Sequence, residues 1–445
     1  MKLLFISLGC DKNLVDSEVM LGLLTKAGMT LTDDELEADV IIINTCCFVN
    51  DAKEESINTI LEMAEYKKKG SCKALIVAGC LAQRYKDEVI AEIEEVDAVI
   101  GTTTYAEIVN TLNDVLKGNQ VSLFHDLTDL PMVDNKRMLT TGGHYAHLKI
   151  SEGCDKHCTY CIIPKIRGNY RSVPMERLIE EATYLVEQGV KELILVAQET
   201  TLYGLDLYGE KRLHQLLKEL CKIKGLYWIR IQYCYPEEIY DELIQVMKEE
   251  PKICHYLDLP IQHANDDVLR HMGRKTNQQQ LKDIIGKLRK EIPDICLRTT
   301  LISGFPGETQ EQHEELMEFV DEMEFDRLGV FAYSPEEDTP AAVMEGQISE
   351  EIKEERRDAL MELQQEIAYD NATKKIGKTL SVMVEGKVAD EPAYVARTYC
   401  DAPNIDGYIF IHTGEELMSG DFVKVKVTGA LEYDLIGEIA DEFTK

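Results

Sequence analysis

The chain is expected to fold as an α/β protein in three parts: an N-terminal parallel α/β sheet domain, a central incomplete (βα)6 TIM-type barrel, and a small C-terminal antiparallel β-barrel. Three observations predict this. Short apolar runs alternate with amphipathic segments over the first ~135 residues. The alternation resumes with longer units from Ala146. After Gly377 it gives way to short period-two runs broken by glycine. A chain of 445 residues is also too long for one core.

Leu3–Leu8 reads as the first strand, followed by a helix from about Ser17 to Lys26. Val40–Asn44 is a second, buried strand, with a long helix through Ile57 to Lys67 behind it. Ala74–Ala78 is a third, and Val99–Ile100 starts a fourth. Apolar strands alternating with helices argue a parallel sheet. Gly118 to Gly143 reads as a connector. The barrel strands are expected at His147–Ile150, Leu193–Ala197, Trp228–Gln232, Tyr256–Pro260, Cys296–Ile302 and Leu328–Ala332. Helices are expected at Glu176–Gln188, Leu213–Ile223, Glu237–Lys248, Gln278–Lys290 and Gln310–Glu322. Ser349–Lys375 reads as a charged helical linker with a solvated face. Leu380-Ser-Val-Met-Val-Glu, Ile409-Phe-Ile and Phe422-Val-Lys-Val-Lys-Val are the strands of the last unit. The expected boundaries are 1–135, 140–372 and 375–445.

No apolar run approaches the ~18–20 residues that span a membrane, and the N-terminus is too short in its apolar part for a signal peptide. Thirteen cysteines without a secretory signal point to a reducing cytoplasm and to metal binding rather than disulfides. The net charge is −33. Such a chain repels phosphate and attracts basic proteins, although a generally acidic proteome gives the same sum.

The chemistry is carried by cysteines. Cys154-Asp-Lys-His-Cys-Thr-Tyr-Cys161 spaces Cys154, Cys158 and Cys161 as C-x-x-x-C-x-x-C. Three thiolates at this spacing can hold three irons of a cubane cluster and leave the fourth open to a ligand. A zinc knuckle, a disulfide or core cysteines are the alternatives, but zinc wants a second pair nearby. Cys10, Cys46 and Cys80 each end a strand of the first sheet. Carboxyl ends of parallel strands share one edge, where ligands bind, so a second three-cysteine site is expected there. Cys47 rivals Cys46; adjacent side chains of an extended segment point opposite ways, so one of them ligates. Three small buried hydrophobes are the bland reading.

Further strand-end loops carry polar groups: Ala197-Gln-Glu-Thr-Thr-Leu-Tyr-Gly, Leu259-Pro-Ile-Gln-His263 and Thr300-Leu-Ile-Ser-Gly-Phe-Pro-Gly-Glu308. They lie on the rim that carries chemistry in such barrels. His263 alone is more often a hydrogen-bonded core residue than a catalyst. Arg167 and Arg171 either grip a carboxylate or an electron donor, or form structural ion pairs.

On these motifs the chain resembles the radical S-adenosylmethionine (radical-SAM) enzymes, and over its whole length the methylthiotransferases. Gly-Cys10-Asp-Lys-Asn-Leu-Val-Asp-Ser-Glu is similar to the RimO type, and so is Asp401-Ala-Pro-Asn-Ile-Asp-Gly407; Asp11 stands where that type has proline. The resemblance implies two 4Fe-4S clusters, one on Cys154, Cys158 and Cys161 and an auxiliary one on Cys10, Cys46 and Cys80. It prefers Cys46 over Cys47 and makes the last unit a TRAM domain. It implies that one S-adenosylmethionine donates methyl to sulfur at the auxiliary cluster. Another is cleaved to a 5′-deoxyadenosyl radical, which takes a hydrogen from the β-carbon of an aspartate of ribosomal protein S-twelve. Tyr160, Gln198, Thr200, Gln262 and Ser303 are the candidate contacts to S-adenosylmethionine. An electron donor such as flavodoxin or ferredoxin is an expected partner. The rival readings are a tRNA methylthiotransferase and a non-catalytic iron–sulfur RNA-binding protein. From Gly377 to Lys445 acidic residues outnumber Lys and Arg, which suits a basic ribosomal protein better than tRNA. Direct tRNA binding is therefore not expected.

Overall fold

The computed structural model describes residues 1–131 and 136–440. Its first sheet has six parallel strands, in the order Thr30–Leu31, Lys2–Ser7, Val40–Thr45, Ala74–Gly79, Ala98–Ile100 and Val121–Leu123. The four expected strands form the middle. The two edge strands are too short for periodicity to register, and Val121–Leu123 lies inside the segment read as a connector. Val40–Thr45 and Ala74–Gly79 are buried along their whole length, so they read as continuous apolar runs. The first helix is longer than expected, Asp11–Lys26, and starts directly after Cys10.

The second sheet is an open barrel of six parallel strands. Tyr145–Lys149 and Arg327–Ala332 are its edges; Glu192–Val196, Trp228–Ile231, Ile253–Asp258 and Cys296–Ser303 lie between them. The expected linker is corrected here. Glu350–Thr373 packs along the Arg327–Ala332 edge and buries Leu360, Gln364, Ile367, Ala368 and Ala372. Its charge run hides this face, because the buried positions include Lys353 and Arg356. The opposite edge is capped by side chains: Arg137 donates to the His147 carbonyl, and Thr141 Oγ1 donates to the Tyr145 carbonyl at 2.6 Å.

The last unit is a closed five-stranded barrel of Thr379–Lys387, Ala393–Thr398, Ile409–His412, Leu435–Ile439 and Phe422–Ala430. Its pairings are antiparallel except Ile409–His412 with Leu435–Ile439, which is parallel and completes the circuit. It docks on the amino ends of the central strands through buried ion pairs. Glu192 receives Arg230 Nε at 2.8 Å and Arg397 Nη2 at 2.7 Å, and all three are fully buried. Arg397 Nε also holds Glu385 at 2.7 Å, and Arg230 Nη1 donates to the Tyr399 carbonyl at 2.6 Å. Among the described residues no helix is long and apolar enough to cross a membrane.

Candidate active site

The carboxyl rim of the first sheet brings Cys10, Cys46 and Cys80 together. Cys10 caps the Asp11–Lys26 helix, Cys46 follows Val40–Thr45, and Cys80 opens the short helix after Ala74–Gly79. Two glycines make the approach possible. Gly9 has φ +91°, and a Cβ on it would lie 2.8 Å from Cys46 Cβ. Gly79 has φ +90°, and a Cβ would lie 2.2 Å from Asn44 Oδ1 and 2.7 Å from the Thr45 carbonyl.

The residues after Cys10 fix this rim, and each has a distinct partner. Asn13 Nδ2 donates to the Leu8 and Thr45 carbonyls at 3.0 and 2.9 Å, tying the Cys10 and Cys46 loops. Asn13 Oδ1 faces Cys80 Sγ at 3.6 Å. Asn44 Nδ2 donates to the Asn13 carbonyl and to Ser17 Oγ, both at 2.9 Å. Ser56 Oγ brackets Cys46, receiving its N–H at 3.0 Å and donating to its carbonyl at 2.8 Å. Asp11 points out of the helix to His147 Nε2 at 3.5 Å and Tyr233 OH at 3.4 Å, contacts that a proline there could not make.

The barrel rim faces this one. Cys154, Cys158 and Cys161 stand in the loop after its first strand, with Cys158 Sγ 3.6 Å from Tyr235 OH. The short helix Ile163–Arg167 follows at once, and Ile162 and Ile166 are seated in the N-terminal core beside Cys47 and Cys80. Arg167 Nη2 reaches Cys80 Sγ at 3.6 Å, and Nη1 holds Asp16 at 2.9 Å and Glu152 at 3.1 Å. Lys149 joins the same two carboxylates. The two open readings of Arg167 thus resolve to a buried structural ion pair. Arg171 is spent on the Asn169 and Arg167 carbonyls.

The donor chemistry fits iron–sulfur clusters. Burial raises the Cys154 thiol to about 12 and raises the Cys46, Cys80 and Cys161 thiols as well, so metal binding has to displace the protons. Among the described residues no three His, Cys, Asp or Glu side chains form a group that could hold a single metal ion. A cubane makes a different demand, because each thiolate takes a different iron.

The candidate S-adenosylmethionine residues divide. Gln198 is half-buried, and its Oε1 has no partner. Tyr160 packs on Val268, Met272, Phe305 and Tyr333. Gln262 holds φ +70° and bridges to Leu301. The Thr200 hydroxyl donates to the Gln232 carbonyl, and Ser303 Oγ donates to the Lys353 carbonyl at 3.0 Å. Both hydroxyls therefore act within the protein. Sequence reasoning passed over Glu199. It is fully buried; Thr201 N–H binds Oε1 at 2.8 Å, while Oε2 has no partner. Burial raises its carboxyl to about 7. An unpartnered buried carboxyl beside Cys154 suits a ligand ammonium. His263 is a core residue: its Nδ1 accepts the Asn265 N–H at 3.0 Å, and burial lowers it to about 3, so it is neutral.

Comparison with known proteins assigns each unit. Residues 2–101 match the uncharacterized protein family UPF0004, 148–320 the radical SAM superfamily and 376–440 the TRAM domain. Ribosomal protein uS12 methylthiotransferase RimO of Lachnoclostridium phytofermentans is 66% identical over 98% of this chain and 99% of its own. The chain belongs to the RimO family of methylthiotransferases. RimO proteins of Clostridium botulinum and Clostridioides difficile are 51% and 50% identical over 99% or more of this chain and 99% of theirs. The family is one of radical-SAM enzymes, dependent on [4Fe-4S] clusters and S-adenosylmethionine. Among solved structures, the radical S-adenosylmethionine methyltransferase TsrM of Kitasatospora setae superposes with a TM-score of 0.56 at 13% identity, over 77% of each chain. The cobalamin-dependent enzyme OxsB gives 0.52 at 14% identity, over 82% of this chain and 56% of its own. These two likenesses are of fold alone.

Proposed function

We propose that the protein places a methylthio group on the β-carbon of an aspartate of ribosomal protein uS12. Cys154, Cys158 and Cys161 hold the cluster at which S-adenosylmethionine is cleaved; Cys10, Cys46 and Cys80 hold the one that serves sulfur transfer. When bound, these groups supply a radical that can take hydrogen from an unactivated carbon, together with the methylated sulfur that replaces it. The observation that carries the reading is the seating of the Ile163–Arg167 helix. It begins two residues after Cys161 and ends with a guanidinium 3.6 Å from Cys80 Sγ, so one five-residue helix links the two cysteine sets. Glu199 Oε2 and Gln198 Oε1 offer unpaired acceptors to the amino group and hydroxyls of S-adenosylmethionine. The Arg167 and Lys149 pairs with Asp16 and Glu152 tie the two rims together. The expected setting is the cytoplasm, with a flavodoxin or ferredoxin as electron donor.

The charge of the TRAM unit supports a protein substrate. From Gly377 to Lys445 there are thirteen Asp and Glu against six Lys and Arg. Arg397 is buried in the docking ion pairs. Lys378, Lys424 and Lys426 are exposed on adjoining backbone and Lys387 stands alone, but Lys426 lies opposite Glu438. That face is too small and too mixed for a tRNA backbone. Mass spectrometry of uS12 and of bulk tRNA from a deletion strain tests the reading. Loss of the methylthio group from uS12 alone is expected; loss from tRNA alone overturns it.

A further inference from the structure

Buried cations cluster where the two cysteine rims meet, and nearly every one is matched to a carboxylate. Lys149 and Arg167 share Asp16 and Glu152, Arg137 lies between Glu18 and Glu181, and Arg84 holds Glu336. Lys12 is different. It is 7% exposed, yet no carboxylate of the described residues lies within 4.0 Å of its ammonium. Its nearest acid, Asp11, is engaged with Tyr233 OH and His147. The Lys12 ammonium rests instead on the Tyr233 ring, 3.3 Å from the centroid.

That ring is held deliberately. Tyr233 lies two residues past the third barrel strand at φ +60°, a left-handed backbone that is costly for a bulky residue. The Tyr233 N–H donates to Asp258 Oδ2 at 3.1 Å, and its carbonyl accepts from the Thr200 N–H at 3.0 Å. A side chain of the N-terminal domain is therefore pinned across the barrel mouth by an aromatic face. Cys10, two residues before Lys12, is exposed at the same rim.

We propose that Lys12 receives the side-chain carboxylate of the substrate residue. This rests on the protein-substrate reading above. A buried ammonium that feels Asp11 and Cys10 only from beyond ion-pair distance lacks a direct charge partner, and a substrate carboxylate supplies one. The reacting β-carbon is bonded to that carboxyl carbon. Gripping the carboxylate would fix the β-carbon at the rim that carries Cys10. Lys12 is then a positioning and specificity residue: it would admit an aspartate and disfavour an asparagine or a nucleobase.

The test uses reconstituted holoenzyme and recombinant uS12 carrying either the target aspartate or asparagine there. Binding is read by fluorescence anisotropy and modification by mass spectrometry. The wild-type enzyme should bind the aspartate form tenfold to about a hundredfold more tightly, the worth of one charged hydrogen bond. Lys12→Met should bind both forms alike with about eight irons per chain retained, and Lys12→Arg should keep most of the preference. If Lys12→Met keeps the preference, the proposal is overturned. It is equally overturned if Lys12→Met loses the auxiliary iron while the remaining holoenzyme keeps the preference, since Lys12 then supports only the cluster. If the wild-type enzyme neither binds nor modifies either form, the uS12 reading itself falls.

Discussion

Glu192→Gln should loosen the C-terminal barrel from the central one by about 3–5 kcal/mol. Glu192 is fully buried and accepts two charged hydrogen bonds, at 2.8 Å from Arg230 and 2.7 Å from Arg397. Glutamine keeps the shape and removes the charge. Arg397 would still have Glu385 at 2.7 Å, but Arg230 would keep only neutral partners, the Tyr399 carbonyl, the Tyr256 ring and at best the new amide oxygen. One buried guanidinium is thus left without a counter-charge, which is the costly half of a broken buried pair. A loss of about 4 kcal/mol raises the opening equilibrium roughly a thousandfold. Hydrogen exchange read by mass spectrometry over residues 397–406 should accelerate by two to three decades at pH 7, while the N-terminal sheet is unchanged. The two arginines hold the Glu192 carboxyl below its usual range against the cost of burial. A depressed carboxyl stabilises above the ordinary glutamate value, and the benefit is lost as the pH falls through the folded value. The gap between wild type and variant should therefore narrow in acid. Exchange within threefold of wild type at pH 7 would refute the reasoning.

Changing Cys10, Cys46 and Cys80 together to alanine should lower iron from about eight to about four per chain, as should changing Cys154, Cys158 and Cys161; iron analysis after anaerobic reconstitution checks both. Gly79→Ala forces a methyl against Asn44 and the Thr45 carbonyl. Auxiliary iron should fall toward that of the first triple variant, although no ligand has changed. Glu199→Gln removes a carboxyl whose value burial raises to about 7. Such a group costs stability as the pH rises from the ordinary glutamate value through 7. The cluster-free variant should then melt above wild type at pH 8, the difference closing toward pH 5, and scanning calorimetry at both values decides it. Thr309→Ala removes a capping box with Gln312 at the start of Gln310–Met323 and should cost about 1 kcal/mol by urea titration.

The architecture was legible because strand periodicity and the shared rim of a parallel sheet are local rules. Cys10, Cys46 and Cys80 could be placed on one edge from strand ends alone. The side-chain partnerships were not legible, since Asn13 with Cys80, Asp16 with Arg167 and Lys12 with Tyr233 join segments 67 to 221 positions apart. The free Oε2 of Glu199 and the spent hydroxyls of Thr200 and Ser303 depend on which way each loop turns, which composition does not encode. The packed face of Glu350–Thr373 escapes a reading by charge because Lys353 and Arg356 are buried with partners, Arg356 on the buried Glu308 and Lys353 on Glu350.

The capping of the Tyr145–Lys149 edge bears on how the chain can be cut. A parallel strand with bare carbonyls is a template for foreign strands, and the shield here is borrowed from Arg137 and Thr141, ahead of the strand. A fragment that begins after residue 141 would carry every barrel strand and still expose that template. It should gather into β-rich aggregates while a fragment beginning before Arg137 does not, so the segment that joins the first two units works as a solubility device as well as a link.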